Sequence, residues 1–372
     1  MKRLNLIFLL AICISCTKSR DETAQEEFNF SYRIDTVLVD SGEDFIYLRR
    51  GLGLGALSPD KKQLYNFNPD VPRLEVIDLE QMKLVDQKPM DLEGPLGTGF
   101  PRALKISEDG KFFFVGFTDF REFDPTLQER KLYRFRTEKP EGLEENEALG
   151  EEFFISNNGN QVFAPYGPEN GEEPKTGMAM ITLEDLSLKK FPFDLWQRTQ
   201  NYIASLYIDG KLQSRSFEQV DVYPMESQVL VSSHNFNEVY LLDLESDSVI
   251  HKTYHSELTA DTKKVPGRTT LDAPEQMREV FTQMNEEVDF SNFYFDEQNQ
   301  KFFRFSRELD RKIGDSTVHK QILTIFDQDL NQLHEENFPI DYFGLKFFKD
   351  GKLWSFVNVD DELGFIIFTF DY

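Results

Sequence analysis

Ile106-Ser107-Glu108-Asp109-Gly110-Lys111-Phe112-Phe113-Phe114-Val115-Gly116-Phe117 is the stretch that decides the fold. It reads as an apolar residue, a tight turn of Ser, Asp and Gly, and then a dense aromatic strand. The same phrase occurs at Leu57-Ser58-Pro59-Asp60 before Leu64-Tyr65, and at Ile155-Ser156-Asn157-Asn158-Gly159 before Val162-Phe163. Three looser copies follow: Tyr223-Pro224-Met225-Glu226 before Val229-Leu230-Val231, Phe295-Asp296-Glu297 before Phe302-Phe303, and Phe348-Lys349-Asp350-Gly351 before Leu353-Trp354-Ser355-Phe356. Ser58, Ser107, Ser156, Pro224, Asp296 and Lys349 are spaced by 49, 49, 68, 72 and 53 residues. A period of roughly 50 is that of a propeller blade.

A second phrase, a strand that ends at Asp or Thr before a turn, follows in several units: Val76-Ile77-Asp78-Leu79-Glu80, Met180-Ile181-Thr182-Leu183-Glu184, Leu241-Leu242-Asp243-Leu244-Glu245 and Ile325-Phe326-Asp327-Gln328-Asp329. Each unit therefore holds hairpins. Phe112-Phe113-Phe114-Val115 and Leu363 to Phe370 are apolar on both strand faces, which calls for sheets covered on both sides, as stacked blades are. A parallel sheet covered by helices would need an amphipathic helix between successive strands, and the turn residues come too soon for one.

After Lys349 only 23 residues remain, too few for a four-stranded blade. Phe28 to Leu38, in which Phe28, Phe30, Tyr32 and Ile34 alternate, is expected to supply the missing strand and leave no open edge. The two long spacings mark insertions. Ala273 to Val288 predicts a helix with Asp272 as its cap, Glu275 at the capping-box position, and Met277, Val280, Phe281, Met284 and Val288 on one face. Phe193 to Gln219, with its Ile208-Asp209-Gly210-Lys211 turn, predicts an extra hairpin. The expected fold is all-β: a six-bladed β-propeller, with seven blades as the alternative, one inserted helix and an N-terminal strand closing the ring. Residues 28–372 are expected to form a single domain.

The N-terminus carries an address. Lys2 and Arg3 precede a largely apolar run from Leu4 to Ile14, and Ser15 stands just before Cys16. As a helix that run spans about 16 Å against roughly 30 Å of bilayer hydrocarbon, so it is expected to be a cleaved signal peptide (1–15) and not a membrane span. Ser15-Cys16 resembles the lipobox of bacterial lipoproteins, whose cysteine receives lipid; Cys13 departs from the usual aliphatic residue of that motif. Both cysteines of the chain lie here, so the folded part has none to pair. Residues 16–27, rich in charge, read as a polar tether, and such an acidic start resembles the export signal of some surface-displayed lipoproteins. The address points to the bacterial cell envelope, with the outer membrane favoured.

With 66 acidic and 41 basic residues the formal charge is −25, and loss of Lys2 and Arg3 takes it to −27. That argues against nucleic acid as a partner and leaves the lipid to hold the protein on an anionic membrane. Forty per cent hydrophobic residues, 36 of all residues being Phe, supply a substantial core and exclude a disordered chain.

Chemical motifs are sparse. Gly51-Leu52-Gly53-Leu54-Gly55-Ala56 matches a dinucleotide fingerprint in letter, but Ser58-Pro59-Asp60 follows where a helix would have to start. Gly94-Pro95-Leu96-Gly97-Thr98-Gly99 lacks the Lys of a phosphate loop and reads as a connection between blades. His251 and His255, four steps along a strand, stand roughly 13 Å apart and cannot share an ion. Asn66, Asn68 and Asp70 begin like a calcium loop, yet Val71 and Ile77 occupy its Gly and Glu positions. Asp360-Asp361-Glu362 reads as an acidic hairpin turn. No catalytic residue, metal or cofactor is expected. Candidate ligand-binding residues are Trp196, Arg198 and Tyr202, which mix aromatic and hydrogen-bonding groups in an insertion, and His234 at a strand end facing a propeller mouth.

The signal with Cys16, the Gly94-Pro95-Leu96-Gly97 loop after the Leu79-Glu80 turn, and the Phe-rich repeats together resemble a family of bacterial lipoproteins known as domain of unknown function 4221. Leu96 replaces the Asn of the family's Gly-Pro-Asn-Gly loop. The resemblance implies a propeller-like, membrane-anchored protein and brings no catalytic residues. The reading that fits is a monomeric envelope module that binds or scaffolds a protein, peptide or glycan; the alternatives are an enzyme acting on a glycan or small molecule in the mouth, and a ligand sensor.

Overall fold

Asx and Ser turns, repeated at fixed places, set the strand boundaries. In a computed structural model of the chain, which describes residues 28–170, 173–314 and 316–372, the Ser58 backbone N–H donates to Gln63, that of Ser107 to Lys111 and that of Ser156 to Gln161. In each case the serine hydroxyl donates to the residue two ahead, Asp60, Asp109 or Asn158. The carboxylates of Asp78, Asp243 and Asp296 accept from backbone N–H groups two and three residues on. Short polar side chains thus replace ladder partners at these reversals. The signal peptide, Cys16 and the tether lie outside the described residues.

The result is an all-β, propeller-like architecture. The first sheet comprises Gly55–Leu57, Gln63–Asn68, Arg73–Asp78 and Lys83–Pro89, and the second Ala103–Ile106, Phe112–Val115, Phe120–Phe123 and Arg130–Tyr133. In the third, Glu147–Leu149 and Phe154–Ile155 both pair with Gln161–Pro168, followed by Gly177–Thr182 and Leu188–Pro192. The fourth holds Val220–Pro224, Gln228–Ser233, Glu238–Asp243 and Ser248–Thr253; the fifth holds Asp289–Asp296, Lys301–Ile313, Ser316–Phe326 and Gln332–Asn337. The sixth joins Lys346–Lys349, Lys352–Val359 and Glu362–Asp371 to the early strand Ser31–Leu38, which runs antiparallel to the last strand from Ser31↔Asp371 to Leu38↔Gly364. Asp360 and Asp361, both at positive φ, make the two-residue hairpin turn of this sheet.

Packing explains why these strands are apolar on both faces. Successive side chains alternate sides, so Phe112 and Phe114 pack with Phe67 and Leu74 of the first sheet while Phe113 and Val115 pack with Val162 and Ala164 of the third. Further clusters join the third sheet to the fourth (Phe163 with Val229), the fourth to the fifth (Leu230 with Phe302) and the fifth to the sixth (Phe303 with Phe370). Leu64 and Ile77 then pack with Trp354 and Phe365, which brings the first sheet against the sixth. At the same seam Gly51 and Gly344, both at positive φ, approach so closely that a Cβ on Gly51 would lie 2.6 Å from the Gly344 Cα. The glycine-rich motif there serves backbone approach.

The insertions meet each other. Ser205–Ile208 pairs with Lys211–Arg215 across the Asp209-Gly210 turn and, in parallel, with Thr270–Leu271, forming a small seventh sheet. The expected hairpin is there but shorter, because Leu195–Thr199 is helical and Gln200–Tyr202 is a 3-10 turn. The second helix is Pro274–Glu286. Its cap is Ala273, not Asp272: Asp272 stands one residue earlier and exchanges hydrogen bonds with Gln276, not Glu275. Val280, Met277 and Met284 pack on Ala204, Leu206 and Leu271, whereas Phe281 is half-exposed and Val288 is buried beyond the helix end. Among the described residues no helix is long and apolar enough to cross a membrane.

Candidate functional site

First strands of neighbouring sheets lie side by side: Gly55–Leu57 with Ala103–Ile106, and Asp289–Asp296 with both Val220–Pro224 and Lys346–Lys349. The loops that enter these strands, with those that leave the second strands, form one end of the fold, its mouth. His234 sits there, directly after Gln228–Ser233. Its Nε2 lies 2.8 Å from Asp221 and its Nδ1 3.4 Å from Asp289. The Asp289 carboxylate also accepts from Lys263 at 2.8 Å and lies 3.9 Å from Arg307. At the same end, Arg102 lies 3.8 Å from Glu152.

Burial alone would push the His234 imidazole down, but Asp221 and Asp289 overcome it and raise its pKa to about 9. Against its own burial, Asp289 is held well below the usual carboxylate range by His234 and Lys263. His234 is therefore a fixed cation at neutral pH and not a free base. Burial pushes Glu152 up to about 7, with Arg102 opposing and Asp221 adding to the rise, so this carboxyl exchanges a proton near neutrality. Burial and Asp289 hold the Tyr342 phenol well above its ordinary value.

The pairing of His234 makes stability depend on pH. Its folded pKa lies above the unfolded value near 6.5, so its pairing stabilises fully below that pH and is lost as pH rises through about 9. His234→Gln is expected to cost on the order of 3 kcal/mol at pH 6 and little at pH 10. Urea midpoints of parent and variant at both pH values test this; a gap that does not narrow contradicts it.

The other three candidates lie elsewhere, and of them Tyr202 is the buried one. The Arg198 guanidinium donates to both Glu238 oxygens, at 2.5 and 2.9 Å, and to Tyr240 at 3.0 Å, and it stacks on Phe236. Glu238, almost fully buried, also faces His251 at 3.0 Å, and the His251 ring stacks on Tyr240. Tyr202 is buried and donates to the Lys263 carbonyl at 2.7 Å; Trp196 packs by Phe193. Tyr202 and His234 thus meet through Lys263, while Trp196 and Arg198 belong to the seam between the third and fourth sheets. Exposed His255 pairs separately with Asp261. Asn66 and Asn68 surround the buried carboxylate of Glu75, which also takes Arg73 and the Tyr47 N–H.

Sequence reading missed Asp221, Asp289, Glu152 and Lys263, since each comes from a different loop or strand with no shared spacing. It also missed a rim of exposed aromatics. Phe45, Phe100, Phe217 and Phe343, in loops that lead into first strands, and Phe117, in a loop after a second strand, are each more than half exposed. Arg102 stacks on Phe117 at 4.5 Å and Arg307 on Phe343 at 4.7 Å. The ammonium of buried Lys346 donates to the Tyr342, Phe343 and Gly344 carbonyls and fixes the last of these loops.

Several solved structures resemble the chain at low sequence identity. A DUF4221 family member from Bacteroides vulgatus superposes with a TM-score of 0.68 at 13% identity, covering 93% of this chain and 99% of that one. A Bacteroides fragilis protein inferred to be exported matches with a TM-score of 0.50 at 8% identity, over 94% and 97% of the two chains. The β-propeller domain of Swd1 from Myceliophteria thermophila matches more loosely, with a TM-score of 0.44 at 8% identity over 90% and 99%. No curated protein matches the chain in sequence. The family model for DUF4221, a domain of unknown function, matches residues 27–337, and the chain belongs to that family.

Proposed function

We propose that the chain is an envelope-anchored binding module, one propeller domain of six blades over residues 28–372, closed by Ser31–Leu38 and presenting its mouth to a protein partner. The observation that carries this is the rim: five exposed phenylalanines, two of them stacked on arginines that also face carboxylates. Phe offers an apolar face with no hydrogen-bonding handle, which suits the side chains of a protein better than the hydroxyls of a sugar. Charged groups already oriented by their neighbours set register at little ordering cost. Closure is supported by the pairing of the first and last strands and by the packing of the first sheet on the sixth.

Anchorage through Cys16 after loss of residues 1–15 completes the reading, and the likeness to a protein inferred to be exported is consistent with an envelope location. Phe28 lies beside Tyr372, whose ring sits under Lys301, the first residue of the fifth sheet's second strand. Phe28, the first described residue, thus lies at the end of the fold away from the mouth. The test is quantitative co-purification from detergent-solubilised envelopes. Phe117→Asp with Phe343→Asp is expected to reduce the recovered partner by roughly a hundredfold while the melting temperature stays within a few degrees. Undiminished recovery contradicts the assignment.

A further inference from the structure

Carboxyls from separate elements gather at the mouth. Asp221 stands in the first strand of the fourth sheet and Asp289 in that of the fifth, Glu218 ends the insertion just before Val220–Pro224, and Glu152 lies just before Phe154–Ile155. His234 faces both Asp221 and Asp289, and Lys263 donates to Asp289. Glu152 is served less well. Its ion pair with Arg102 spans 3.8 Å, beyond hydrogen-bond reach, and among the described residues no donor reaches its carboxylate. Arg102 meanwhile donates to the Glu151 carbonyl and stacks on Phe117. Burial pushes both Glu152 and Glu218 up; Asp221 adds to the rise of the first and Asp289 to that of the second. The mouth therefore holds more carboxylate than its own cations keep ionised at neutral pH.

We propose that the partner bound at the mouth presents a basic segment, one lysine or arginine side chain of which pairs with Glu152 beside Asp221. This rests on the binding-module reading and adds the partner's chemistry to it. A net charge of −25 draws a basic partner and repels an acidic one. The rim arginines do not reverse that preference, since Arg102 and Arg307 already face carboxylates. Phe117 and Phe343 each hold a guanidinium 4.5 to 4.7 Å from the ring centre, so rim rings and carboxylates together make surroundings that suit an organic cation. Pairing draws Glu152 into its ionised form and its proton leaves to solvent, so binding tightens as pH rises through the range in which this carboxyl titrates. The charged groups that face it are Arg102 and Asp221, with His234 behind Asp221; neighbouring Glu151 pairs with exposed Arg136 at 3.6 Å.

The test is calorimetric titration of the full chain with acetylated tetralysine amide, beside the tetraserine analogue and calcium chloride, at pH 6 and pH 8 and constant salt. Tetralysine is expected to bind roughly five- to tenfold tighter at pH 8 than at pH 6, and to release a proton, read from the dependence of the heat on the buffer. Glu152→Gln copies the neutral carboxyl in shape, so it should melt close to the parent; it is expected to weaken binding about tenfold at pH 8 and to remove most of the pH difference. Glu245→Gln, at an exposed turn away from the mouth, is expected to change binding by less than about twofold. Three results overturn the proposal: no binding of tetralysine, equal effects of Glu152→Gln and Glu245→Gln, or calcium binding as tightly with the same dependence on Glu152. Co-purification separates this from the reading beneath it. A partner lost with Phe117→Asp and Phe343→Asp but recovered in full with Glu152→Gln at pH 8 leaves the binding module standing and overturns the basic segment.

Discussion

A chain lacking residues 28–40 is expected to lose cooperative unfolding altogether. Ser31–Leu38 pairs along its whole length with Glu362–Asp371, and eight residues in register make a ladder whose bonds contribute about 1 kcal/mol each. Tyr32, Phe28 and Phe30 also pack against Phe338, Phe368 and Phe370 between the fifth and sixth sheets. Together these terms rival the roughly 5–15 kcal/mol by which a whole domain is stable. Removal would also uncover the edge of a long apolar strand, an invitation to pair with another chain. Scanning calorimetry and dye binding check this. The truncated chain should melt broadly or not at all and bind a hydrophobic dye, and a synthetic peptide of residues 28–40 should restore part of the transition. A truncated chain that melts like the parent contradicts closure.

Arg304→Met is expected to destabilise the fold by about 3–5 kcal/mol. Arg304 is fully buried, yet its guanidinium donates to three carbonyls, those of Ser291, Glu238 and Ser233, and lies 4.9 Å from both the Phe290 and Phe293 rings. Burial lowers its pKa to about 10, which still leaves it charged at neutrality. Met fills much of the volume but strands three acceptors at the seam between the fourth and fifth sheets, and each orphaned carbonyl costs about 1–3 kcal/mol. Arg304→Lys should fall between, because one ammonium cannot span three acceptors and two ring faces. Denaturant midpoints and amide exchange on Glu238–Asp243 read the effect. A methionine variant as stable as the parent would show that the guanidinium contributes nothing to this seam.

The repeat was legible because turns obey local chemistry. Ser58, Ser107 and Ser156 announce the same hydrogen-bonded reversal, and Asp209-Gly210 and Asp360-Asp361 announce two-residue hairpins without help from tertiary structure. The strand Ser31–Leu38 could be assigned from the shortage of residues after Lys349 and the alternation of Phe28, Phe30, Tyr32 and Ile34. The helix Pro274–Glu286 was legible in its apolar spacing but not in its cap, since Asp272 and Gln276 satisfy each other at one residue's remove.

His234 was legible as a strand-end residue of the mouth, but its partners were not. His234, Asp221, Asp289 and Lys263 are brought together by the stacking of sheets, and Arg198 and Glu238, 40 residues apart, pair only once the insertion folds back on the fourth sheet. Nor does the sequence distinguish an exposed Phe343 from a buried Phe347 four residues on. Both follow from which loop enters the sheet and which residue lies within it.

The most direct test of the account places a photo-reactive phenylalanine analogue at Phe117 or Phe343, and for comparison at Val85 or Ile250 on outer strands, in the full chain in intact cells. One and the same envelope protein is expected to be crosslinked from both mouth positions and from neither outer-strand position. Capture from the outer strands but not from the mouth, or no specific capture from Phe117 and Phe343, would contradict it.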